Sequence, residues 1–152
     1  EVLRAANKLD DDVDMTEVAV QSRAYYEKAL KDGSHTAILV YDKEKIIGAG
    51  GISYFEVMPT YHNPTGKKAY IMNMYTHPDY RRRGIAYRVL ELLTAEAEMR
   101  QIDAVTLEAT AAGRPLYEAF GFTAMRDEME LLGGNKFRDT GKEKIIWGKW
   151  PY

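Results

Sequence analysis

The stretch from His77 to Met99, HPDYRRRGIAYRVLELLTAEAEM, constrains this chain more than any other. It begins at a proline-containing turn, passes three arginines, reaches Gly84 and Ala86, and becomes a helical pattern. Ile85, Val89, Leu92, Leu93 and Ala97 recur near the 3.6-residue period, whereas Arg88, Glu91, Glu96 and Glu98 fall largely elsewhere. Immediately upstream, Ala69 to Thr76 (AYIMNMYT) suits a β-strand. The unit therefore reads as strand, basic turn and glycine-marked helix start. A helix start exposes unpaired backbone N–H groups at the positive end of the macrodipole, which favours phosphate. Gly84 allows a ligand close to the backbone, and small Ala86 keeps the first turn open.

Val105 to Thr110 (VTLEAT) supplies the next strand. Strand, long helix and strand make a crossover unit, so this strand is expected parallel to Ala69–Thr76. The following segment, AAGRPLYEAFGF, starts a short helix at Arg114-Pro115 and ends it at Gly121.

The basic turn matches neither G-x-x-x-x-G-K-[ST] nor G-x-G-x-x-G. Arg81-Arg82-Arg83-Gly84-Ile85-Ala86 instead resembles the R/Q-x-x-G-x-G/A signature of the GCN5-related N-acetyltransferases (GNAT), whose loop holds the pyrophosphate of acetyl-coenzyme A. Leu116 to Phe122 (LYEAFGF) resembles the LY-x-x-x-GF motif of the same family, whose tyrosine often sits beside the coenzyme sulfur. The two motifs stand in the expected order and distance, which makes the pair far more specific than either alone. One position departs from the pattern. Where family members commonly place an asparagine, before the motif tyrosine, this chain has Thr110.

The resemblance implies one α+β domain over residues 1–152. Its sheet is expected to be mixed and mainly antiparallel, with helices on both faces, opened between the two parallel strands. The family's usual first strand has no candidate here, since Val2, Leu3, Ala6 and Leu9 have helical spacing. The implied reaction moves an acetyl group from acetyl-CoA, the cosubstrate, directly to a primary amine in a ternary complex. The backbone of Met74, Tyr75 and Thr76 would pair with the pantetheine arm and polarise the thioester carbonyl. Arg81, Arg82, Arg83, Gly84, Ile85, Ala86 and Tyr87 would hold the phosphates, with Thr110 in the asparagine's place. Tyr117 would protonate the leaving thiolate. For the base, Glu56 stands foremost, because it ends a strand ahead of the long irregular segment Phe55–Lys68; Glu108, His62 and a water chain are the alternatives. A coenzyme A-binding module without catalysis would keep the arginine loop but need no acid.

The remaining sequence narrows the alternatives. There is no cysteine, so no thiolate metal site and no cysteinyl acyl-enzyme. Ser22, Ser34 and Ser53 lie outside G-x-S-x-G, and no H-E-x-x-H pairs the histidines, so no metal is expected. A formal net charge of −2 argues against a nucleic-acid partner. No apolar run is long enough for a bilayer, and a cytoplasmic setting is the default. The expected partner is a small-molecule or peptide amine, and a homodimer is compatible with the long loop. Asp14 and Glu17 suggest a capping box opening a helix that ends near Gly33, with Tyr25 and Tyr26 packing or bordering an acceptor. Ala37–Tyr41 and Ile46–Tyr54 read as paired strands, and Gly48, Gly50 and Gly51 in the latter suggest a bulge or the close approach of another group, a bulge foremost. Thr123–Leu132 and Lys144–Trp150 read as closing strands.

Overall fold

The computed structural model describes residues 12–130. The expected N-terminal helical stretch before residue 12 and the closing strand Lys144–Trp150 lie outside the described residues. Residues up to Phe122 form one compact unit, and those from Thr123 belong to another.

Helix α1 (Thr16–Asp32) leads into the antiparallel strands β1 (His35–Asp42), β2 (Lys45–Glu56) and β3 (Lys67–Thr76). A 3-10 turn, Pro78–Tyr80, precedes α2 (Ile85–Met99); β4 (Ala104–Leu107) and the short α3 (Arg114–Phe120) follow. The sheet order is β1-β2-β3-β4, with β3 and β4 parallel, so the architecture is the expected mixed α+β sheet. The N-cap of α1 is Met15, without a side-chain cap, rather than the expected Asp14; Asp14, one residue earlier, accepts at its Oδ1 from Thr16 N at 2.9 Å and from the Thr16 hydroxyl at 2.7 Å. Gly33 ends the helix in the left-handed conformation.

The two sheet faces are covered differently. Ile52, Ala69 and Ile71 join Val89, Leu90, Leu93 and Ala97 of α2 in a core with almost no solvent exposure. Burying a Leu or Val side chain contributes about 1.5–3 kcal/mol, so this interface is the main stabiliser of α2. Leu116, Tyr117 and Phe120 of α3 pack at its margin. On the opposite face, α1 meets the sheet through Tyr25, which bonds to Ser53.

The glycines of β2 are explained chiefly by close approach. A Cβ at Gly48 would stand 2.7 Å from Ile85 Cγ2, and one at Gly50 would stand 2.5 Å from Val89 Cγ1. Glycine thus lets α2 lie against the sheet from its first turn, which fixes the arginine loop before it. The irregular residue of the β2–β3 ladder belongs to β3: Gly51 pairs with Met72 and Ala49 with Tyr75, so Asn73 and Met74 oppose the single Gly50.

Two expected strands are corrected. β4 ends at Leu107, short of Thr110, because the chain leaves β3 there. Residues 123–130 contain no strand; they are exposed throughout and lack any ladder partner among the described residues, so alternation alone cannot hold them extended.

Candidate active site

The β3–β4 ladder runs from Lys68↔Ala104 to Ile71↔Leu107 and stops. β3 continues to Thr76 without a β4 partner, so the sheet opens between its two parallel strands and exposes the β3 edge from Met72 onward. Met74, Tyr75 and Thr76 form this edge, each partly buried. The Thr76 hydroxyl oxygen is buried with no hydrogen-bond partner among the described residues.

The arginine loop follows at the end of that edge. His77 N donates to Ile47 O at 2.8 Å, pinning the loop's start to β2. Tyr80 donates its hydroxyl proton to Asp42 Oδ2 on β1, which holds the phenol above its ordinary pKa. The Arg83 guanidinium lies 5.0 Å from the Tyr80 ring centre, and Arg81 Nε reaches Thr76 O at 3.4 Å. None of Arg81, Arg82 and Arg83 has a carboxylate partner among the described residues. Arg82 and Gly84 take left-handed backbone angles, φ 62° and 77°. At Gly84 that angle favours glycine, and apart from its own chain neighbours no atom of the described residues lies within 4 Å of where a Cβ would stand. No side chain caps α2. The N–H groups of Ile85, Ala86 and Tyr87 thus begin a helix beside three uncompensated cations. This chemistry fits a polyphosphate.

Tyr117 lies in α3, the short helix that follows β4. Arg114-Pro115 opens that helix as expected, and Phe122 N and Gly121 N close it on Tyr117 O. The Tyr117 ring packs on the core margin and meets Phe122 edge-on at 6.1 Å. Its hydroxyl makes no hydrogen bond to any described residue, and burial pushes its pKa up from the ordinary phenol value. Thr110 holds the preceding turn: its hydroxyl oxygen accepts from Gly113 N at 3.2 Å. Tyr87 joins the two motifs through a ring contact with Phe120 at 5.1 Å.

Met74–Thr76 thus form the free end of β3, Arg81–Tyr87 follow it directly, and Thr110 and Tyr117 follow the end of β4. Glu56 does not join them. It pairs with Lys67 at the other end of β2 and β3, six residues and at most about 20 Å of strand rise from the bulge. There it lines an open cavity of about 630 Å³ with Asp32, Lys67 and Arg100. His62 belongs to the loop at that end too, exposed and edge-on to Tyr61. Glu108 is exposed directly after β4, on the side of the opening. No group of three His, Asp or Glu suited to a metal occurs among the described residues.

Sequence reasoning missed a polar cluster on the α1 face. His35, 3% exposed, places Nδ1 3.0 Å from Ser53 Oγ and 3.1 Å from Tyr25 Oη. Burial lowers its pKa. The nearest sequence signal was the alternation carrying His35 and Ser53 on opposed strands, which only the pairing register resolves.

Residues 6–122 match the family model "Acetyltransferase (GNAT) family". The chain belongs to the GNAT acetyltransferases. Among solved structures, a predicted acetyltransferase with acetyl-CoA from Clostridium acetobutylicum is 32% identical, with a TM-score of 0.74 over 82% of this chain and 79% of that one. A GCN5-related N-acetyltransferase from Ralstonia eutropha is 26% identical, with a TM-score of 0.68 over 80% and 82%. An aminoglycoside 6′-N-acetyltransferase from Acinetobacter haemolyticus, 17% identical with a TM-score of 0.62 over 85% and 87%, shares the GNAT fold. No curated protein matches the chain at a significant level.

Among the described residues, no helix is long and apolar enough to cross a membrane.

Proposed function

We propose that this GNAT protein moves the acetyl group of acetyl-CoA directly to a primary amine in a ternary complex. The observation that carries the reading is the opening itself: a β3 edge without a β4 partner from Met72 onward, followed by an arginine loop with no carboxylate partner among the described residues, with Tyr117 on the short helix after β4. Arg81, Arg82 and Arg83, with the first-turn N–H groups of α2, take the pyrophosphate. The β3 edge orders the pantetheine arm as an added strand would, and its N–H groups polarise the thioester carbonyl as negative charge develops there. The neutral amine attacks that carbonyl, the C–S bond breaks, and Tyr117 gives its proton to the departing sulfur. Glu108, beside the opening, is better placed than Glu56 or His62 to take the amine's proton, directly or through water. With no cysteine and no activated-serine motif, the acyl group has no covalent station on the protein.

The aminoglycoside-modifying relative is one reason to include polyamine-like amines among acceptors. The test is thiol release from acetyl-CoA across a panel of small amines and peptide N-termini. Turnover with at least one amine is expected. Tight acetyl-CoA binding with no release on any acceptor would overturn the catalytic reading in favour of a coenzyme-binding module. Intact mass after incubation with acetyl-CoA alone should show no stoichiometric acetyl adduct; an adduct discharged by amine would overturn direct transfer.

A further inference from the structure

The β3 edge owes its shape to one residue. Asn73 is the extra residue of the ladder and takes φ 53°, a left-handed angle that asparagine adopts more readily than most side chains. The bulge turns Met74 toward the α2 face, where its Sδ would lie 2.7 Å from a Cβ on Gly50. It thereby also decides where the following N–H groups point. The Asn73 side chain leaves on the α1 side of the sheet. There its Nδ2 donates to Tyr26 Oη at 3.1 Å.

Tyr26 is itself braced. Its ring meets Tyr25 edge-on at 5.5 Å and His35 at 5.1 Å. Tyr25 Oη lies 2.7 Å from Ser53 Oγ, and both contact His35 Nδ1. His35 Nε2 is buried without a partner among the described residues and faces Gly51, where a Cβ would be 2.7 Å away. Two consecutive tyrosines of α1 are thus tied to three strands, one through β1 and β2, the other through the bulge of β3.

We propose that Tyr26 is a positioning residue for acetyl transfer: by accepting from Asn73 it holds the bulge in the conformation that aims the β3 edge into the opening. This rests on the acetyltransferase reading above. Tyr26 touches no reacting atom in this scheme. It limits the Asn73 side chain to one outward geometry, and the amide can no longer compete for neighbouring backbone groups. A small misplacement of polarising donors costs rate far more than it costs ground-state binding.

The experiment compares Tyr26→Phe, Asn73→Gly and the double variant. Phenylalanine keeps the ring packing, and glycine keeps the left-handed angle without the amide. Tyr26→Phe should lower kcat about tenfold, while calorimetry gives an acetyl-CoA Kd within about twofold of the wild type. The double variant should be no slower than the slower single variant, since both remove one contact. Amide exchange at Met74 and Tyr75, read without substrate, should quicken in Tyr26→Phe. Wild-type kcat in the folded variant, additive losses in the double, or unchanged exchange at both amides would each overturn the proposal. If the wild type releases no thiol with any amine, the acetyltransferase reading fails, and the exchange result still decides whether Tyr26 holds the bulge.

Discussion

The two faces of this sheet are built by opposite means. The α2 face is dry and apolar: Ile52, Ala69 and Ile71 meet Val89, Leu90 and Leu93, and glycines bring the helix close. The α1 face is held by directed polar contacts among Tyr25, Tyr26, His35, Ser53 and Asn73. Non-directional packing serves the first because α2 need only be pressed onto the sheet to fix the arginine loop. Hydrogen bonds serve the second because a bulge has to be held at a particular angle. The faces should therefore fail differently, one through loss of stability and the other through loss of geometry or through pH.

The largest effect should come from the apolar face. Leu93→Ala leaves a cavity beneath Gly50 and should cost about 2–5 kcal/mol in urea unfolding. A loss below about 1 kcal/mol would mean that α2 is not what anchors the loop. Tyr117→Phe, on the same side of the sheet, should lower kcat by roughly 10²-fold with acetyl-CoA affinity little changed. A folded variant with wild-type turnover, where chemistry limits the rate, removes Tyr117 from the mechanism. Gly84→Val forces a β-branched residue to φ 77° at the mouth of α2. A strain of about 1–3 kcal/mol should weaken acetyl-CoA binding by some 10- to 100-fold in a folded protein. Unchanged affinity by calorimetry would place the phosphates elsewhere.

The polar face should show itself in pH dependence. Burial holds folded His35 below its ordinary 6.5, and the side chains around it are Tyr25, Tyr26 and Ser53. The unfolded chain then takes up the proton first. Stability is full above pH 6.5, falls as the pH drops from there to the folded pKa, and then levels off. The slope in that window should approach, and not exceed, about 1.4 kcal/mol per pH unit. His35→Gln should flatten it in urea unfolding at successive pH values. An equal slope in the variant would assign the dependence to other groups.

Much of the apolar face was legible in the sequence, and little of the polar one. Val89, Leu93 and Ala97 recur at helical spacing, so α2 and its flanking strands follow from periodicity. Arg81–Ala86 and Leu116–Phe122 are contiguous, so the site motifs could be read directly. The polar cluster joins residues far apart in the chain, and a change of one residue in register would separate His35 from Ser53. For the same reason Glu56 seemed eligible: its place at a strand end was legible, but which end of the opening it faced depended on the β2–β3 pairing. The glycines of β2 signalled something unusual, yet only the packed helix shows that they admit Ile85 and Val89.

The short β3–β4 ladder has a kinetic meaning. β1, β2 and β3 pair through connections of modest length, whereas the Lys68–Ile71 ladder with β4 closes across the whole of α2. Loop closure across that span makes it the costliest pairing in the sheet, and it rests on four residue pairs. In native-state hydrogen exchange, β4 should therefore open at lower free energy than β2, as a unit of its own. An acyl donor that lies along the β3 edge would stitch that seam from beyond Ile71, so the cleft that receives it is also the part of the protein it most rigidifies.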